Sequence, residues 1–362
     1  MTLDAHRDDL AATAAALAAP GTGLLAADES TGTIGKRFAA IGVDNTEANR
    51  RASRSLLATA PGLAESISGV ILYEETLFQD SVTAAGDPGP PLVELFAQQG
   101  IVPGIKVDLG VEPLAGGLAG ETWCTGLKGL AERAEKAYER GARFAKWRAV
   151  LRISGEGCPS ELAVRENAWG LARYARTVQE AGLVPIVEPE ILMDGDHDIA
   201  TCASVQEWVL RTVYEALATN GVFLEGSLLK PSMTTAGADC PEQASLDEVG
   251  EFTVRTLARS VPAAVPAILF LSGGLSEEDA SLCLNAINEA AAQGFAPWHL
   301  GFSFGRALQQ SCLKHWAGGN VDAGQTALLA RARANGAASR GAYTAGSEPS
   351  DDASLFVANY SY

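Results

Sequence analysis

Residues 143–150 read RFAKWRAV, and residues 183–190 read LVPIVEPE. Each is an apolar run of strand length carrying charges two residues apart: Lys146 and Arg148 in the first, Glu188 and Glu190 in the second. Side chains two apart in a strand point to the same side, so each pair shares one face. Six further apolar runs of similar length occur at 23–28 (GLLAAD), 69–74 (GVILYE), 101–108 (IVPGIKVD), 223–230 (FLEGSLLK), 267–271 (AILFL) and 300–304 (LGFSF). Helical signals fill the gaps. Thr46 precedes a polar run through Leu57, and the stretch from Leu127 to Arg140 stops at Gly141. Ser160 opens a pattern ending at Gly182, and Ser204 opens one ending at Gly221. Ser276 stands before Glu277, Glu278 and Asp279, acids that suit the positive end of a helix dipole.

Strands alternating with helices imply a parallel sheet, and eight strands are the number that closes an α/β barrel. An open doubly wound sheet would carry a G-x-G-x-x-G turn after its first strand, and none follows residues 23–28. The expected fold is therefore an α/β (β/α)8 TIM barrel spanning residues 1–345, with a helix ahead of the first strand. Residues 346–362 fall outside the eight units. They are polar at first and then tipped by Phe356, Tyr360 and Tyr362, and they read as a mobile C-terminal tail.

With 362 residues, 47% of them hydrophobic and 20% charged, the chain can bury a large single core. A net charge of −17 repels nucleic acid and anionic lipid, so neither is expected as a partner. An anionic substrate would need a local cluster of Lys and Arg. The six cysteines are scattered with no C-x-x-C pair, which suits reduced thiols. His6, His197, His299 and His315 lack ligand spacing, so no metal and no cofactor are expected. Asp194-Gly195-Asp196-His197-Asp198 begins like a calcium loop but lacks the later Gly and Glu, and reads as a βα loop. The acidic start, Met1 to Leu10, is no signal peptide, and no run of about 18 apolar residues exists to span a membrane. A cytoplasmic location follows as an expectation.

Charge inside the strands carries the functional signal. Lys106 and Asp108 end the third run, Lys146 and Arg148 the fourth, Glu188 and Glu190 the fifth, Lys230 the sixth, and Asp28 and Glu29 the first. All sit late in their strands, at the end where such barrels hold their active sites. Ser272-Gly273-Gly274 after the seventh run and Ser303-Phe304-Gly305-Arg306 at the eighth suit a phosphate group: glycines let backbone N–H groups approach an anion, and Arg adds a charged fork. The residues point to an enzyme acting on a phosphorylated small molecule. Lys230 follows Leu228-Leu229, and burial there beside a second cation disfavours its charged form. It reads either as a nucleophilic amine or as an ion-pair partner of Glu188.

At these residues the chain resembles class I fructose-bisphosphate aldolase. The motifs are residues 25–32 (LAADESTG), 104–108 (GIKVD), 144–148 (FAKWR), 187–191 (VEPEI), 228–231 (LLKP), 271–274 (LSGG) and 305–308 (GRAL). The resemblance implies a metal-independent lyase of glycolysis and gluconeogenesis that forms a Schiff base on Lys230. It makes Asp28 the base for the carbon-4 hydroxyl and Glu188 the acid/base for water loss. Lys146 would steady developing charge, with Glu190 and Arg148 organising the network. Tyr362 resembles a terminal tyrosine that exchanges protons once the tail reaches the active site. Ser272, Gly273, Ser303, Gly305 and Arg306 match the carbon-1 phosphate site. Lys106, Ser30 and Thr33 lie where the family holds the carbon-6 phosphate, and Arg37 matches a further substrate-contacting arginine. The substrate would be a sugar phosphate and the assembly a homotetramer. The resemblance leaves two alternatives: a related aldolase preferring sedoheptulose bisphosphate or another sugar phosphate, and a scaffold without catalysis.

Overall fold

The computed structural model describes residues 3–83 and 86–360. Eight parallel strands close into a barrel: β1 Gly23–Ala27, β2 Ile67–Leu72, β3 Val102–Lys106, β4 Phe144–Leu151, β5 Val184–Ile191, β6 Leu228–Leu229, β7 Ala267–Phe270 and β8 His299–Phe304, with β8 paired back to β1. The helices are α1 Arg7–Leu17, α2 Thr31–Ala40, α3 Glu47–Ala58, α4 Glu74–Phe78, α5 Leu92–Gln98, α6 Leu130–Arg140, α7 Glu161–Glu180, α8 Ile199–Thr219, α9 Leu246–Ser260, α10 Glu277–Ala291, α11 Arg306–Trp316 and α12 Val321–Ala338.

The period-two alternation of the strands divides the core in two. Outward-facing Leu25, Ala145, Trp147, Val187, Leu229, Ile268 and Phe270 pack under the helices. Inward-facing Leu24, Ala26, Phe144, Val184, Ile186, Leu228 and Leu269 form a second cluster inside the barrel, which Leu10, Ala14 and Leu17 of α1 close from below. Phe144 fits because Gly104, beside it in β3, has no Cβ: one would stand 2.3 Å from the ring. Following the inward positions upward, Leu24 and Ala26 lead to Asp28, Phe144 to Lys146 and Arg148, Ile186 to Glu188 and Glu190, and Leu228 to Lys230. The inner face thus turns from apolar to charged at the C-terminal end of the strands. The register keeps the charges level, with Lys106 opposite Lys146 and Arg148 opposite Glu188.

Thr46, Ser160 and Ser276 cap α3, α7 and α10 as their positions imply. Two expectations need correction. Residues 223–230 do not form a full strand: Leu224–Gly226 is a 3-10 turn and β6 keeps only two residues. Lys230 nevertheless extends the ladder, its N–H donating to the Val187 carbonyl at 2.8 Å. Helix α8 begins at Ile199 under an Asp198 cap, and Ser204 lies inside it with its hydroxyl bonded back to the Ala200 carbonyl. The acidic stretch 194–198 is the loop between β5 and α8. Two small hairpins, Asp80–Val82 with Pro88–Pro91 and Val111–Pro113 with Thr122–Cys124, stand outside the barrel.

Candidate active site

Lys146 is fully buried at the centre of the charged layer. Its Nζ lies 2.8 Å from Asp28 Oδ2, 3.4 Å from Glu188 Oε2 and 4.0 Å from Asp108 Oδ2. Lys230, 4% exposed, places its Nζ 3.2 Å from Glu188 Oε1. Glu188 therefore bridges the two lysines, one oxygen to each. Lys106 is held by Asp108 at 2.8 Å. Arg148 donates through Nε to Glu190, one residue pair further up the same two strands.

Burial alone would raise the Asp28 carboxyl, but the Lys146 charge and then that of Lys230 outweigh it and hold Asp28 well below the usual carboxylate range. Burial likewise works against Glu190, and the Arg148 charge and hydrogen bond reverse the effect and lower it. Both groups are ionised at neutral pH. Several buried charges in contact are costly unless mutually paired, and such arrangements concentrate at functional sites.

A cavity of about 80 Å³ opens above this layer. Its wall brings together most of the residues singled out in the sequence: Asp28, Thr33, Arg37, Arg148, Glu188, Glu190, Lys230, Ser272, Gly273, Ser303, Gly305 and Arg306. Gly273 turns with φ +61°, a conformation that side chains rarely adopt. Gly305 precedes α11, whose N-terminus carries no side-chain cap. Ser303 points inward from β8, and its buried Oγ has no hydrogen-bond partner among the described residues. Open helix N–H groups, a glycine turn and an unpartnered buried hydroxyl form a cradle for an anion.

Arg306 stands in that cradle. Burial lowers its pKa, and the neighbouring Arg37 and Arg148 charges add to the effect. Arg37 is steered by Glu29, which also pairs with buried Arg54 at 2.6 Å. Ser30 caps α2 and holds Thr33 3.0 Å away, hydroxyl to hydroxyl. Ser30 and Lys106 line a separate cavity of about 260 Å³ together with Tyr73, Glu74, Asp108 and Arg133. Lys146 lies beneath the first cavity rather than in its wall, and Tyr362 falls outside the described residues.

Three residues noted in the sequence, but given no individual role there, contribute to the site. Glu29 positions Arg37, and Asp108 positions Lys106. Tyr360 lines the cavity itself. The signal for the two acids was their place beside charged strand ends. Tyr360 had only its aromatic character in a polar tail.

The model of the family described as fructose-bisphosphate aldolase class-I matches residues 9–362. Among similar proteins, cytosolic fructose-bisphosphate aldolase 4 of Arabidopsis thaliana is 56% identical over 358 residues, covering 98% of this chain and 89% of that protein. A chloroplastic fructose-bisphosphate aldolase of Oryza sativa subsp. japonica is 53% identical, covering 99% of this chain and 90% of that protein. A solved structure of fructose-bisphosphate aldolase from Plasmodium falciparum, in complex with TRAP and a small-molecule inhibitor, matches with a TM-score of 0.90 and 52% identity, covering 94% of this chain and 96% of that one. With its barrel and its buried lysine–carboxylate layer, the chain belongs to the class-I fructose-bisphosphate aldolase family.

Proposed function

We propose that Lys230 forms the imine through which this chain reversibly cleaves fructose 1,6-bisphosphate to dihydroxyacetone phosphate and glyceraldehyde 3-phosphate. The observation that carries this reading is the Lys230 amine 3.2 Å from Glu188, in the same cavity as Asp28, Arg306 and Ser303. The neutral amine adds to carbon 2 of the open-chain sugar, and Glu188 protonates the departing hydroxyl as water leaves. Asp28 accepts the proton of the carbon-4 hydroxyl. The bond between carbons 3 and 4 then breaks, its electron pair flows into the protonated imine, and glyceraldehyde 3-phosphate departs. Protonation at carbon 3 and hydrolysis of the imine release dihydroxyacetone phosphate and restore Lys230. Lys146, between Asp28 and Glu188, stabilises charge on both carboxylates as it changes. Glu190 and Arg148 keep their pair above it.

The carbon-1 phosphate binds Ser272, Gly273, Ser303, Gly305 and Arg306, with Arg37 alongside. The carbon-6 phosphate lies towards Lys106, Ser30 and Thr33. Residues 346–362 act as a tail distinct from the barrel, and Tyr362 serves proton exchange at carbon 3. The enzyme works as a cytoplasmic homotetramer in glycolysis and gluconeogenesis. The 260 Å³ cavity beside Lys106 favours one second reading, because it leaves room for the longer chain of sedoheptulose bisphosphate.

Steady-state cleavage of the two bisphosphates, each with and without excess EDTA, tests both readings. Fructose 1,6-bisphosphate is expected to give the higher kcat/KM, unchanged by the chelator. Faster turnover of sedoheptulose bisphosphate would favour the second reading. Loss of activity in EDTA would exclude the imine mechanism as written.

A further inference from the structure

A single buried carboxylate joins the lysine–carboxylate layer to the second cavity. Asp108 follows β3, two residues past Lys106, and both line the cavity of about 260 Å³. Asp108 is 4% exposed. Its Oδ1 lies 2.8 Å from the Lys106 amine, and its Oδ2 lies 4.0 Å from the Lys146 amine. Two main-chain donors pin the carboxylate, Gly110 N–H on Oδ1 at 3.3 Å and Arg148 N–H on Oδ2 at 3.4 Å. The other end of the contact is a lysine on a flexible four-carbon stem. A phosphate entering the cavity therefore draws the Lys106 amine to itself and leaves the carboxylate where it is.

Asp28, Glu188 and Asp108 stand around Lys146. In the cleavage cycle proposed above, Asp28 takes up the carbon-4 proton, and Glu188 gives up a proton and recovers it. Each is neutral at some stage, and Lys146 then loses part of the charge that balances it. Asp108 exchanges no proton in that cycle, so its charge on Lys146 is constant. While Lys106 rests on the carboxylate, that charge is shared between two ammonium groups. A phosphate on Lys106 ends the sharing.

We infer that Asp108 is a positioning residue that carries the binding of the carbon-6 phosphate to the cleavage site: phosphate draws Lys106 away, and the released carboxylate holds the Lys146 ammonium in place while Asp28 and Glu188 change protonation. The inference rests on the proposed imine cleavage and on the placing of that phosphate at Lys106. Binding energy at a remote phosphate is then realised in the reacting state, as kcat rather than as affinity alone. A sugar phosphorylated only at carbon 1 leaves Lys106 on Asp108 and lacks this gain.

The test compares steady-state cleavage of fructose 1,6-bisphosphate and fructose 1-phosphate by wild type, Asp108→Asn and Lys106→Met. Wild type should show the higher kcat with the bisphosphate. Asp108→Asn keeps the shape and loses the charge, and should shrink that kcat advantage by about tenfold, an ordinary coupling between two sites. Lys106→Met removes the competing ammonium and should raise kcat for the monophosphate about fivefold above wild type, while raising KM for the bisphosphate. Damage to the fold cannot imitate a gain in kcat. Four results would each overturn the inference and leave Asp108 as a tether for Lys106. They are equal kcat for the two sugars in wild type, proportional losses on both sugars in Asp108→Asn, a change in Asp108→Asn confined to KM, and no gain for the monophosphate in Lys106→Met. The imine reading survives all four. Failure of wild type to cleave either sugar removes the imine reading itself, and the inference falls with it.

Discussion

Glu188 sets the geometry of the charged layer at the level of single residues. Its two oxygens reach different lysines, at 3.2 Å for Lys230 and 3.4 Å for Lys146, while Asp28 takes Lys146 from the other side at 2.8 Å. Each charge is paired, so the layer persists although nearly all of it is buried. The same logic governs Glu29, whose carboxylate joins Arg37 to Arg54. Burial opposes its ionised form, yet the two arginines win and its pKa is lowered in the folded chain. A carboxylate with a lowered folded pKa binds fewer protons than in the unfolded chain. Its stabilisation is therefore full above the unfolded value near about 4.3 and is lost as pH falls through the folded value. Glu29→Gln should cost roughly 3 kcal/mol at pH 7, because two buried guanidiniums lose a partner. Urea midpoints of the two proteins should differ by a constant amount from pH 8 to about 5 and converge below about pH 4. Divergence on acidification would show that the Glu29 pairs do not stabilise the fold.

Among the elements, the strands were legible where apolar runs were long and continuous, and least so where a turn intruded. Residues 223–227 look like the start of a strand, but Gly226 lies against α1, where a Cβ would meet Leu10 Cβ at 2.8 Å, and the chain turns to accommodate it. Ser204 looks like a cap, but inside a helix a serine hydroxyl can return to the carbonyl four residues back, as it does here with Ala200. The two hairpins escaped because each has strands of only three or four residues, one of them Pro-Gly-Pro-Pro. The barrel floor offers a direct check. Gly104→Ala would place its Cβ 2.3 Å from the Phe144 ring, whose neighbours in the inner cluster leave it no room. A loss of about 1–3 kcal/mol in unfolding free energy is expected, with the m value unchanged. A variant as stable as wild type would mean that the interior is looser than its contacts indicate.

For the molecule as a whole, a net charge of −17 coexists with a basic cradle of Arg37, Arg148 and Arg306. The charge pattern of the strands made the charged layer legible, because register in a parallel barrel brings late-strand residues to one end. Glycine turns at 273 and 305 marked the cradle for the same reason. What the sequence could not reveal is long-range packing: that Tyr360 would lie on Arg306, or that Glu29 would tie Arg37 to Arg54. Those contacts join segments far apart in the chain and leave no periodic trace. The account turns on a single amine at the barrel's charged end becoming covalently joined to a ketone. Reduction of the enzyme with borohydride in the presence of dihydroxyacetone phosphate, followed by peptide mapping, tests this most directly. The account predicts one stable adduct, on Lys230, with matching loss of activity. An adduct on Lys146 or Lys106 instead, or no adduct at all, would contradict it.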